Sequence, residues 1–300
     1  MALFRQSKVK FLRKSRNKFY ILCILPTLLL TAALSLYPSL LTILYSFTDK
    51  RLGNDTPRFV GLENYLSLFQ NEYFLEALLR TLVFVGASIL LRLIFGILLA
   101  LLLNQRIKGT IVPKVCLLIP WVLSEPVAGA IWLWMLNDQY GLLTCLLKEI
   151  GLPSVGWLTT SVTAMGSIIF VSLWKNLAFS FLMFQTAIQN VPKDIYENCR
   201  LDGSGFFDTL RYITLPLIRP ALLVNIIMVT ASSLNQFSLV YTLTGGGPLR
   251  STEVIGVYLN RFFFEYGAIG VGAAVSMVIL LISIVLSVCY CRKLRETTLY

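Results

Sequence analysis

The chain has 300 residues, is 56% hydrophobic and 14% charged, and has a mean hydropathy of +0.74. A soluble domain carries about 25% charged residues and a bilayer-spanning helix needs roughly 18 or more apolar residues, so a soluble enzyme, a secreted disulfide scaffold and a disordered chain are all excluded. The net charge of +11 invites a nucleic-acid partner, but basic residues retained on the cytoplasmic side of a membrane protein give the same excess.

Residues 1–18 form a basic segment, with Arg5, Lys8, Lys10, Arg13, Lys14, Arg16 and Lys18 and no acid. Phe19 to Thr48 follows without a charge; it is too long for a signal-peptide core of about 7–15 residues and reads as a first span. Thr81–Leu103 is interrupted only by Arg92, Val115–Leu136 only by Glu125, and Val162–Ile188 only by Lys175. A polar segment, 189–220, precedes two more uncharged runs, Pro220–Leu249 and Tyr266–Cys291. The expectation is an all-α protein of six spans, with residues 19–300 as one transmembrane domain.

With the basic segment in the cytoplasm, alternation places the 104–114 loop, the 189–219 loop and the C-terminal tail there too. The inside then holds 17 basic residues against five acids, and the outside six against nine. The excess therefore reports orientation, and no nucleic acid is needed to explain it. Histidine is absent, which removes imidazole chemistry. The six cysteines (Cys23, Cys116, Cys145, Cys199, Cys289 and Cys291) contain no CxxC pair and read as small hydrophobes, so no metal site is expected. No phosphate-binding G-x-x-x-x-G-K-[ST] pattern occurs, and Gly245-Gly246-Gly247-Pro248 lacks its lysine. If ATP drives this chain, another subunit binds it.

In 189–220, Pro192 bars continuation of the fourth span. Asp194 with Glu197 three residues on makes a capping box, predicting a short helix over Ile195–Leu201. Asp202-Gly203 ends it with a left-handed glycine, and a second short helix is predicted over Phe206–Ile213. Such a helix–turn–helix is a knob that can seat in a groove on a cytoplasmic partner. The segment resembles the E-A-A-x-x-x-G loop of ABC importer permeases, in the form carried by binding-protein-dependent sugar permeases. Val191-Pro192, Ile195-Tyr196-Glu197, Asp202-Gly203 and Ile213 through Pro220 match at the family spacing, while Asn198, Cys199 and Ser204 replace its alanines. Phe59 through Tyr65, Pro120 through Ser124, Val171 through Lys175 and Thr244 through Pro248 extend the likeness along the chain.

The resemblance implies a type I importer-like permease in a bacterial or archaeal cytoplasmic membrane, with both termini cytoplasmic. It implies a heterodimer with a homologous second permease, two ATP-binding subunits and an extracytoplasmic solute-binding protein that delivers a mono- or oligosaccharide. This chain would be no enzyme and hold no cofactor, ATP and magnesium belonging to the partner subunits. Asp194, Tyr196, Glu197, Asp202 and Gly203 would form the coupling helix, a lever moved by ATP-driven closure. Sugar recognition needs amides, hydroxyls and aromatic faces, and the fifth span offers Ser232, Ser233, Asn235, Gln236 and Phe237. The family likeness assigns Trp174, Asn176, Ser233 and Gln236 to the substrate cavity; interhelical polar packing is the competing reading. Gly246, Gly247 and Pro248 fall in the last external loop, as a binding-protein docking surface or as a plain re-entry turn.

Arg92, Glu125 and Lys175 must face protein, water or a partner, since an exposed charge in the bilayer centre costs about 2.5–3.5 kcal/mol. Lys175 reads either as an internal ion pair with Glu125 or as a substrate contact. Arg92 reads as a polar subunit interface or as a cavity wall selecting an acidic sugar. Two rivals stand beside the saccharide importer. One is the same importer type for an acidic saccharide or glycerol phosphate; the other is an ion-coupled secondary transporter.

Overall fold

The structure, a computed structural model, describes residues 24–54, 56–104 and 109–298. The basic segment 1–18, Cys23, Arg106 and Lys108 lie outside the described residues.

The first helix, α1, covers Ile24–Ser46, with a wider turn at Ala32–Leu36. A short helix α2 (Glu63–Gln70) precedes α3 (Glu72–Leu103). Helix α3 begins nine residues before the run expected from its apolar residues. Its first turns carry Glu72, Glu76 and Arg80, which charge alone would place in a loop. Two local contacts hold them in the helix: Asn71 caps it by accepting from the Tyr73 and Phe74 amides, and Glu76 pairs with Arg80 at 2.7 Å.

The third predicted span is not one helix. Helices α4 (Ile111–Val122) and α5 (Glu125–Met135) meet at a 105° bend. Pro120 withholds an amide from the last turn of α4, Leu123 and Ser124 are extended, and Pro126 suits the first turn of a new helix. Glu125 therefore opens a helix instead of interrupting one. After α6 (Leu142–Glu149), α7 runs unbroken over Ser161–Gln189.

Helix α8 (Lys193–Leu201) leads to α9 (Phe206–Leu217), which turns by 70° into α10 (Arg219–Leu234). The predicted fifth span also breaks, at Asn235–Phe237, and resumes as α11 (Ser238–Thr244). A loop then leads to α12 (Ile255–Asn260), and α13 (Ile269–Thr298) closes the described chain. Among the described residues, four helices are long and apolar enough to cross a membrane, or up to six with each bent pair counted as one span.

Helix α3 packs along α7, α13 against α1, and α11 against α5. Three apolar clusters hold these pairs. One gathers Phe84, Trp132, Ile168, Val171 and Leu239 at the centre. A second joins Phe74 and Tyr258 to α13, and a third sets Phe181, Phe184 and Ile218 above the α8–α9 segment. Large apolar side chains such as Leu34, Leu79, Val122 and Leu281 stay exposed on the outer helix faces, as an integral membrane protein requires.

Candidate functional site

The α8–α9 knob is built as a stiff element. Helix α8 starts at Lys193, directly after Pro192, so Asp194 lies in its first turn and not at the cap; there its carboxylate still complements the helix dipole. At the other end the Asp202 amide bonds to Asn198 O and the Ser204 amide to Cys199 O, both at 3.0 Å. This closure needs a left-handed residue, supplied by Gly203 at φ +76°. The Tyr196 and Thr214 hydroxyls lie 3.4 Å apart and tie α8 to α9. Asp194, Glu197, Asp202 and Gly203 are exposed while Tyr196 is half-buried. Leu201 and Phe207 present apolar surface beside the acids, being 86% and 79% exposed. A cavity of about 900 Å³, lined by Leu101, Asn104, Ile188, Tyr196, Phe206 and Thr214, separates the knob from the ends of α3 and α7.

Polar groups collect between α3 and α7. Arg92 is buried and donates from Nη2 to Ser172 Oγ at 3.0 Å, while its Nε has no partner. Lys175 is 7% exposed, and no ion pair joins it to Glu125 among the described residues. Glu125 is half-exposed at the start of α5. Trp174, half-buried, packs edge-on against Trp132 at 5.4 Å. Asn176, also half-buried, donates from Nδ2 to Ser172 O at 3.0 Å.

The break at Asn235–Phe237 sorts the fifth-span residues into two sets. Ser233 and Gln236 are buried, and Ser233 Oγ and Gln236 Nε2 lack partners. Ser232 and Asn235 are exposed. Both sets are spaced by three residues, so the sequence holds no signal separating them.

The last loop is more ordered than a plain turn. The Thr244 and Thr252 hydroxyls meet at 2.7 Å, Thr252 Oγ1 donates to Gly247 O, and the Gly246 amide donates to Thr244 Oγ1. At Gly246, φ is +90° and a side chain would press on Val257 and Glu253. Pro248 leads to Leu249, which is 97% exposed at φ 46°. Beneath this tip lies Glu253, which the sequence places among the acids outside the spans without giving it a role. It is fully buried, 2.8 Å from Arg261 Nη1 and 3.7 Å from Arg250 Nε, and Arg261 Nη2 also donates to Gly245 O. Burial pushes the Glu253 carboxyl above the usual carboxylate range, against the pull of Arg261, Arg250 and Arg80. Burial together with Glu253 pushes the Tyr258 hydroxyl up to about 12.

Residues 92–292 match the family described as the binding-protein-dependent transport system inner membrane component. The chain belongs to this family. The permease is 33% identical to the trehalose/maltose transport system permease protein MalF of Thermococcus litoralis, over 95% of each chain. It is 30% identical to the sulfoquinovosyl glycerol transport system permease protein SmoG of Agrobacterium fabrum, over 92% of this chain and 90% of that one. A solved bacterial alginate ABC transporter, in complex with an alginate-pentasaccharide-bound periplasmic protein, contains a chain of the same fold, with a TM-score of 0.84 at 22% identity over 95% of the permease. The permease is thus an ABC importer transmembrane subunit with a type I importer-like fold.

Proposed function

We propose that this permease forms half of an ATP-driven pathway that imports a mono- or oligosaccharide handed over by an external binding protein. The observation that carries the reading is the α8–α9 knob: a short helix closed at its end by Gly203, tied back through Tyr196 and Thr214, and showing Asp194, Glu197 and Asp202 outward. A stiff helix transmits displacement where a loose loop absorbs it. In this reading the knob seats in an ATP-binding subunit, and closure of two such subunits, which carry the nucleotide and magnesium, tips the bundle. A homologous second permease completes the pathway, and both termini face the cytoplasm.

A saccharide is supported by the relatives named for trehalose/maltose and sulfoquinovosyl glycerol transport, and by the side chains available. Trp174 offers an aromatic face to sugar C–H groups, and Asn176 offers an amide. Across the pathway, Asn235 and Ser232 supply polar groups at the surface, with Ser233 and Gln236 behind them supporting the break. The Gly246-Gly247-Pro248 turn and the exposed Leu249 form the docking tip for the binding protein.

Gly203→Pro and Glu197→Lys test the coupling assignment in the reconstituted complex. Proline fixes φ near −65° and cannot take the +76° of Gly203, so hydrolysis and import should separate while the permease stays in the membrane. Normal sugar-stimulated ATPase and import in both variants would sink the assignment.

A further inference from the structure

The polar cluster between α3 and α7 holds an imbalance. Lys175 is 93% buried by its 7% exposure, yet its ammonium makes no hydrogen bond or ion pair among the described residues. Arg92, 4% exposed, uses Nη2 on Ser172 and leaves Nε unpartnered. Ser172 and Lys175 are three residues apart on α7 and so are near neighbours on one face, which brings both cations into one cluster. Among the described residues no acid is ion-paired with either Lys175 or Arg92. A buried cation without a counter-charge is costly, and in a membrane protein such a residue marks a ligand or a partner.

What lies beside Lys175 selects between those two. Its chain neighbours are Trp174 and Asn176, both half-buried, one an aromatic face and the other an amide whose oxygen has no partner among the described residues. Two buried cations beside one hydroxyl suit a negatively charged group, and Trp174 and Asn176, which project about 100° to either side of Lys175 around the helix, offer an aromatic face and an amide at its flanks. We propose that Lys175, with Arg92 held one turn away against Ser172, receives the negatively charged group of an anionic saccharide, and that the permease discriminates by charge at this point. The proposal rests on the saccharide reading above and narrows it.

The test uses the complete reconstituted importer with saturating loaded binding protein. Uptake of a neutral hexose disaccharide and of the matching uronic-acid disaccharide is compared in the wild type, Lys175→Gln, Lys175→Arg and Arg92→Gln. The wild type should import the uronate. Lys175→Gln should lose about tenfold or more of uronate import, the loss of one charge-assisted contact, with neutral uptake changed less than twofold; Lys175→Arg should retain uronate import. As a check independent of turnover, millimolar uronate should raise the melting temperature of the wild-type complex and not that of Lys175→Gln. Equal losses for both sugars, as a carboxylate of the second permease would produce, overturn the proposal. So does a wild type that takes only the neutral sugar, which leaves the saccharide reading standing. A wild type that imports neither sugar overturns that reading, and the charge site with it.

Discussion

Glu253 gives the sharpest prediction about the loop that follows α11. Glu253→Gln keeps the shape and removes the charge that Arg261 meets at 2.8 Å and Arg250 at 3.7 Å. Removing one partner of a buried pair costs about 3–5 kcal/mol. Here the stranded cation is less exposed to that penalty, because Arg261 is 19% exposed and keeps Gly245 O at 3.2 Å and Glu265 at 3.6 Å. A figure at or just below the bottom of that range, about 2–3 kcal/mol, is the fitting one. At roughly 2–4 °C per kcal/mol for a chain of this size, the melting temperature should fall by about 5–10 °C. Arg261→Met strands the acid instead. Burial has already raised the Glu253 carboxyl above its ordinary 4.5, and losing the cation raises it further. For an acid with a raised folded value, stability is fully present below the unfolded value and is lost as pH rises through the folded one. The Arg261→Met variant should therefore melt closer to wild type at pH 5 than at pH 8. Tryptophan fluorescence on the detergent-solubilised complex reads the melting, and ATPase stimulated by the binding protein reads the docking tip above the pair. A Glu253→Gln variant within about 1 °C of wild type, with unchanged stimulation, would refute the reasoning.

Asn235→Ala should weaken the apparent affinity for loaded substrate with little change in melting temperature, since Asn235 is exposed, whereas Gln236→Ala should act mainly on stability, since Gln236 is 4% exposed in the break; measuring both properties in both variants checks the division, and an exchange of the two effects would reverse it. Leu249→Gly removes a side chain 97% exposed and relieves its φ of 46°, so it should stabilise by up to about 1 kcal/mol and raise the melting temperature slightly, while binding-protein stimulation falls; unchanged stimulation would take Leu249 out of the proposed docking tip.

Much of this architecture was legible before any coordinate. Long apolar runs, broken by no more than one charge each, located α1, α3, α7 and α13, because crossing a bilayer forces a length on every such helix. Asp202-Gly203 announced the closure of α8, because few residues other than glycine accept the left-handed turn it requires. The bends were harder. That between α4 and α5 had local signs in Pro120, Ser124 and Pro126, but prolines are tolerated inside membrane helices and an apolar count runs straight over them. The break at Asn235–Phe237 has neither proline nor glycine. Its cause is tertiary: the carbonyl of Gln236 sits where any side chain at Gly256 would have to be, 2.7 Å from that position, so a segment twenty residues later shapes it. Helix rotation was equally hidden. Ser232 with Asn235 and Ser233 with Gln236 have the same spacing, and only packing against neighbouring helices decides which pair faces out. Glu253 carries no role in the sequence because a single acid in a loop reads as solvated until Arg261 and Arg250 are found beside it.

The central claim is that this chain passes a saccharide through the membrane at the expense of ATP hydrolysed elsewhere. The most direct measurement is ATPase stimulation and saccharide uptake by the reconstituted complex, with its binding protein loaded in turn from a panel of neutral and acidic saccharides. Stimulation by a subset of that panel, with matching uptake that stops when the ATP-binding subunits are left out, is the predicted result. Uptake that persists without those subunits and follows an imposed ion gradient would contradict the account.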